Sequence, residues 1–97
     1  MAFKRAFLSG RVVSDEGFAV LVRGQDTLEY CENGRKMSIS IDCGGNGIVV
    51  FADSVSRWDD DPSASIDEQT RAKITDNIVR ALRFKVQPRG GHVDLHQ

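Results

Sequence analysis

Residues 27–42 read TLEYCENGRKMSISID, two alternating runs on either side of Asn33 and Gly34. Asn-Gly is the dipeptide that best supplies the two positive φ angles of a type I′ turn, so the stretch predicts a β-hairpin with a two-residue loop. Facing residue numbers then sum to 67: Tyr30 opposes Met37, Leu28 opposes Ile39 and Asp26 opposes Ile41 on one face. Cys31 with Lys36, Glu29 with Ser38 and Thr27 with Ser40 form the other. One face is apolar and one polar, as in an antiparallel sheet covered on one side. Cys31 points outward and Cys43, which shares the parity of Ile39 and Ile41, points inward, so both thiols are expected to stay free.

Working outward, FAVLV (18–22) precedes the hairpin across the turn RGQD, and GIVVF (47–51) follows it across CGGNG. Both runs are apolar at every position, which predicts strands with partial cover on both faces, from a partner chain or from the N-terminal segment. Four strands in meander order result. The segment FKRAFLSGRVVS before them reads equally as a strand or as one helical turn plus a strand.

A helix over about 66–84 follows. Ser65 lies three residues before Glu68, the spacing of a capping box, and Asp67 adds negative charge at the positive end of the helix dipole. Arg80, Arg83 and Lys85 complement the other end. Ile74, Ile78, Ala81 and Leu82 make one apolar stripe, and Asp67 with Arg71 and Asp76 with Arg80 are i,i+4 pairs. Pro88 and the glycines after it stop the helix, leaving 88–97 as a tail or an edge strand. The expected fold is α+β: an antiparallel meander of about four to five strands with one C-terminal helix packed on one face.

Ninety-seven residues, 40% hydrophobic and 28% charged, suit one domain with one core across 1–97. No run approaches the roughly 18 apolar residues that cross a bilayer, and the N-terminus lacks a secretory apolar region, so no membrane association and a cytoplasmic location are expected. The net charge of −1 is unevenly spread. Residues 29–61 hold seven acids against three bases, whereas 62–86 hold five bases against three acids. No basic stripe runs along the chain, so direct nucleic-acid binding is not expected.

The acidic window ends in FADSVSRWDDDP (51–62), the most concentrated candidate site. Asp59, Asp60 and Asp61 lack the spaced ligands and bidentate Glu of a calcium loop, and three adjacent acids cannot all converge on one cation. Two readings stay open: a solvated linker before the helix, and a protein interface in which an aromatic beside acids meets a basic partner. Asp53 belongs to this cluster if the strand ends there. Trp58 is either a core residue closing the sheet or an exposed anchor, and an edge position allows both. His92 and His96 have the i,i+4 spacing of a helical zinc site but fall in an extended segment with no further ligands. The glycines of CGGNGI lack the Lys-Ser/Thr of a P-loop. Cys31 beside Lys36 has no histidine near it, and Ser9, Ser14 and Ser38 carry no nucleophile motif. Neither a catalytic residue, a cofactor nor a metal is implied.

Tyr30 before the Gly34-Arg35-Lys36 turn, the strand IVVFADSV running into Arg57-Trp58-Asp59 with Pro62 behind, and the helix end NIVRALRF together resemble a family of small bacterial immunity proteins. These belong to polymorphic-toxin and contact-dependent growth inhibition systems. The resemblance covers about residues 28–84. It implies a non-enzymatic protein that binds a cognate toxin C-terminal domain, commonly a nuclease, and blocks it. Asp53, Arg57, Trp58, Asp59, Asp60 and Asp61, with Glu29 and Glu32, are then the expected partner-facing residues. A free strand edge would also allow a homodimer. The competing expectation is a small regulatory or nucleic-acid-binding module using RALRFKVQPRGG as its basic contact.

Overall fold

A computed structural model describes residues 3–5, 11–45, 47–87 and 90–96. The fold class is α+β, as the sequence predicts. Strands β1 (Phe3–Arg5), β2 (Val12–Ser14), β3 (Phe18–Arg23), β4 (Thr27–Glu32), β5 (Arg35–Gly44) and β6 (Gly47–Phe51) are followed by a 3-10 turn (Ala52–Ser54), helix α1 (Glu68–Val86) and strand β7 (His92–His96). The strands form one sheet in the order β1-β2-β3-β4-β5-β6-β7.

The central hairpin has the predicted register: Tyr30 faces Met37, Leu28 faces Ile39 and Cys31 faces Lys36. Asn33 (φ 54°) and Gly34 (φ 77°) supply the two left-handed residues of its turn. Beyond it, β3 through β6 run as the expected meander. The expected total of four to five strands is too low. Two short strands, β1 and β2, extend the sheet at one border, and β7 joins the other by pairing parallel to β6. A parallel neighbour requires a crossover, and α1 is that crossover. The ambiguous N-terminal segment therefore contains two strands, while residues 6–10 between them lie outside the described residues.

Burial alternates along the strands. Val12, Val20, Leu28, Tyr30, Met37, Ile39, Ile41 and Val50 point into the core, whereas the intervening positions of β3 and β6, such as Leu21 and Val49, are half-buried. The continuous apolar runs thus have one buried face. Ile74, Ile78, Ala81 and Leu82 of α1 are all buried against the inner face, each large side chain contributing about 1.5–3 kcal/mol relative to exposure. The helix touches β7 at one border and β2 and β3 toward the other, because the sheet curls around it.

α1 begins later than expected. Ile66 N–H donates to the Ser56 carbonyl at 2.9 Å, which holds residues 65–66 against the preceding segment and out of the helix. Ser65 therefore does not cap it. Asp67, extended at φ −78° and ψ 170°, takes that place and accepts from Thr70 N–H at 2.7 Å. With Asp67 committed to the cap, its expected partner Arg71 instead donates from Nε to the Val55 carbonyl at 3.1 Å and lies 3.7 Å from Glu68. The Asp76–Arg80 pair forms as predicted, at 2.9 Å.

Aromatic rings form a run from α1 and β1 across β3 and β4 to the loop beside β5. Phe84, Phe3, Phe18, Tyr30 and Trp58 follow one another with centroids 5.6 to 6.2 Å apart. Beneath them, Tyr30 donates its hydroxyl to Glu32 at 2.7 Å and accepts from Asn77 Nδ2 at 3.0 Å. Asn77 Oδ1 accepts from Arg80 at 2.6 Å, so the one buried amide on α1 is satisfied on both sides. Burial, then the Glu32 carboxylate, push the Tyr30 hydroxyl far above its ordinary pKa.

Candidate partner-binding surface

β5 is longer than either neighbour. Its second half, Ile41 to Gly44, pairs with β6, but its first half, from Arg35 to Ser40, has β4 on one side only. An unpaired strand edge leaves N–H and C=O groups that need partners. The segment after β6 supplies them with side chains. Ser54 Oγ donates to the Phe51 carbonyl at 2.6 Å and accepts from Ser40 N–H at 2.9 Å. Asp59 N–H donates to the Lys36 carbonyl at 2.8 Å, while its carboxylate accepts from Ser38 N–H at 3.0 Å and from the Ser38 hydroxyl at 2.9 Å. Asp59 thus takes the place of a neighbouring strand.

The residues around Asp59 are fixed from both sides. Arg35 meets Asp60 at 3.1 Å, and its guanidinium lies 4.8 Å from the centre of the Trp58 ring. Trp58 is half-buried and packs on the core beside Tyr30. It is a core residue at a sheet edge with one face left to solvent. Asp61 closes a turn on Trp58, its N–H bonding the Trp58 carbonyl at 3.1 Å, and its carboxylate takes only the Ser63 hydroxyl at 3.2 Å. Arg57 is held by the Pro62 carbonyl at 2.8 Å. All three aspartates are nonetheless exposed.

The other expected partner-facing residues divide. Glu29 shares the outer face of the sheet with Ser38, opposite which it sits, so the row Leu21, Glu29, Ser38, Asp59 crosses three strands into the loop. Its charge is met by Arg11 at 3.6 Å and Arg23 at 3.4 Å, and only 13% of its side chain is accessible. Glu32 turns to the inner face and binds Tyr30, away from this row. Asp53 is exposed but lines a groove between α1 and β7 and so stands apart from Asp59 to Asp61. Ser38, Ser54 and Arg35, which position the acids, are not evident as site residues in the sequence. The only signal for them is the odd length of β5.

The remaining candidates do not assemble into chemistry. Cys31 touches Arg11 and Glu29, and burial followed by the Glu29 charge raises its pKa, contrary to an activation by Lys36. Burial raises Cys43 as well, so both are thiols at neutral pH. His92 and His96 lie at the two ends of β7, about 13 Å apart at the rise of a strand, one near Asp94 and the other edge-on to Phe51. Among the described residues, no three His, Cys, Asp or Glu side chains converge to hold a metal ion. Nor, among the described residues, is any helix long and apolar enough to cross a membrane.

No model of a known protein family, no curated protein and no solved structure matches the chain. What the chain does is therefore read from this surface.

Proposed function

We propose that this chain is an immunity protein: it binds a cognate toxin domain, of nuclease type, and blocks its active site or an adjacent surface. The supporting observation is the anchoring of residues 58–61 on the edge of β5, which presents three consecutive carboxylates on an exposed, fixed turn. A nuclease groove is basic because its substrate is a phosphate chain. Acids held in one arrangement meet such a groove without the ordering cost a flexible acidic loop incurs on binding. The sequence resemblance to immunity proteins points the same way, and on this reading the protein works in the cytoplasm without catalysis of its own.

The roles differ within the cluster. Asp59 and Asp60 fasten the turn and keep exposed carboxylates with lone pairs to spare, Trp58 offers the open face of its ring, and Asp61 offers a carboxylate with no ion pair among the described residues. The basic end of α1 gives less support to a nucleic-acid-binding module, because its Arg80 is tied to Asp76 and Asn77.

Co-expression with the toxin domain encoded beside it tests the proposal. Growth should be rescued and the two proteins should co-purify; if neither happens, the immunity reading falls. Within the complex, Asp61→Lys should weaken binding roughly tenfold or more through charge reversal at the contact while leaving the fold intact. Unchanged affinity would move the binding surface elsewhere.

A further inference from the structure

β7 is the last strand of the sheet and pairs only with β6 among the described residues. Between α1 and β7 lies a groove of about 460 Å³ in which Ala72, Val79, Val93 and Leu95 line the wall beside charged side chains, among them Glu68 and Arg83. Leu95 is 42% exposed, one of two large apolar side chains in that state. The Thr75 hydroxyl lies in the same groove, 8% exposed as a residue, with no hydrogen-bond partner among the described residues. A helix stripe and a strand edge are left beside a place that no described segment fills.

We propose that a second copy of the chain fills it. Two β7 strands pair antiparallel across a two-fold axis, and the two α1 helices lie antiparallel above the joined sheet.

The groove stripe of α1 is complementary to itself in that arrangement. Residue numbers that add to 151 lie at one level, so Glu68 meets the partner's Arg83 and Ala72 meets the partner's Val79. At the middle of the stripe apolar meets apolar, and at its ends acid meets base; Arg71 and Arg80, which the same rule sets at one level on opposite flanks, are tied within each copy to Glu68 and Asp76. Arg83, which makes no ion pair among the described residues, gains one. On β7 the sequence HVDLH repeats the pattern: centred on Leu95, the two-fold sets Leu95 against the partner's Leu95 and Asp94 against the partner's His96.

The two centres lie at similar distances from one junction. Gly91 N–H bonds the Val86 carbonyl at 2.9 Å and so ties the end of α1 to the start of β7. From that junction the middle of the helix stripe, between Thr75 and Asp76, lies about 16 Å back along α1. Leu95 lies about 13 Å forward along β7. One axis passes near both, as an isologous interface requires. The surface excludes Asp59 to Asp61, so its failure and that of the toxin reading are separate outcomes.

Sedimentation equilibrium of the full chain from about 10 μM to 1 mM, with charge-reversal variants, tests the dimer. The wild type should show a monomer–dimer equilibrium. Glu68→Arg and Arg83→Glu should each weaken it by roughly tenfold or more, since every reversal acts twice in a symmetric pair. Mixing the two variants should restore a dimer, because the base introduced at position 68 of one copy then faces the acid introduced at position 83 of the other, and the remaining 83–68 contact keeps its native charges. A chain that stays monomeric throughout, a dimer indifferent to both reversals, or variants that do not recover on mixing would each overturn the proposal. So would β7 amides that gain protection only when a different protein is added.

Discussion

Two unpaired edges of the sheet, the first half of β5 and the outer side of β7, are treated in opposite ways. Along the first half of β5 the gap is filled by Ser54 and Asp59, whose side chains take the bonds a strand would make. Along β7 nothing among the described residues fills the gap, and a groove of mixed apolar and charged lining remains. Polar side chains on a short loop can seal an edge when the loop is fixed by a neighbouring core contact, which Trp58 provides. No described segment is so placed beside β7. The first border is consequently a surface that shows charge, and the second a surface that shows backbone and apolar area.

The sharpest way to break the sealed border is to remove its core contact. Trp58→Ala should cost about 2–3 kcal/mol, somewhat under the 3–5 kcal/mol typical of a fully buried aromatic because one face of the ring is open. Chemical denaturation measures it. Asp59→Ala should cost about 1–2 kcal/mol by leaving Ser38 N–H and its hydroxyl without their acceptor, whereas Asp61→Ala next to it should stay within about 0.5 kcal/mol. Equal effects at the two positions would remove the distinction between fastening and displayed acids.

A smaller effect belongs to the start of α1. Bonds from Thr70, first its backbone N–H, lower the Asp67 pKa below its ordinary value. A depressed carboxylate stabilises the fold above its unfolded pKa of about 4, and that contribution is lost as pH falls through the folded pKa. Stability should therefore fall with acidification below about pH 4, and Asp67→Asn should flatten that part of the profile. At the open border the expected change is close to none. Thr75→Val keeps the shape and removes an unpaired hydroxyl, so monomer stability should be unchanged or higher by up to about 1 kcal/mol. A clear loss would mean that the hydroxyl has a partner within the chain.

The same contrast separates what is legible in the sequence from what is not. The hairpin is legible to the residue because Asn33-Gly34 fixes register locally and alternation fixes the buried face. The stripe from Ile74 to Leu82 is legible for the same reason. β7 is not: five residues with one inward pair, Val93 and Leu95, look the same in a tail and in a strand that needs a crossover to find β6. Ser65 and Asp67 are both acceptable caps, and the choice between them is made by Ile66 bonding Ser56, ten residues away. The acids 59–61 are visible as a cluster, yet their division of labour depends on Ser38 and Arg35, more than twenty residues upstream. Neither periodicity nor composition reaches that far.

One edge is sealed by side chains and the other left open, and residue-resolved amide hydrogen exchange on the dilute chain reads both at once. Ser38 and Ser40 amides should be protected nearly as well as their neighbours in β4, and Asp59→Ala should release Ser38. The β7 amides that do not bond to β6 should exchange quickly at low concentration. Fast exchange at Ser38 and Ser40 in the wild type, or β7 amides protected on that outer edge in the monomer, would contradict it.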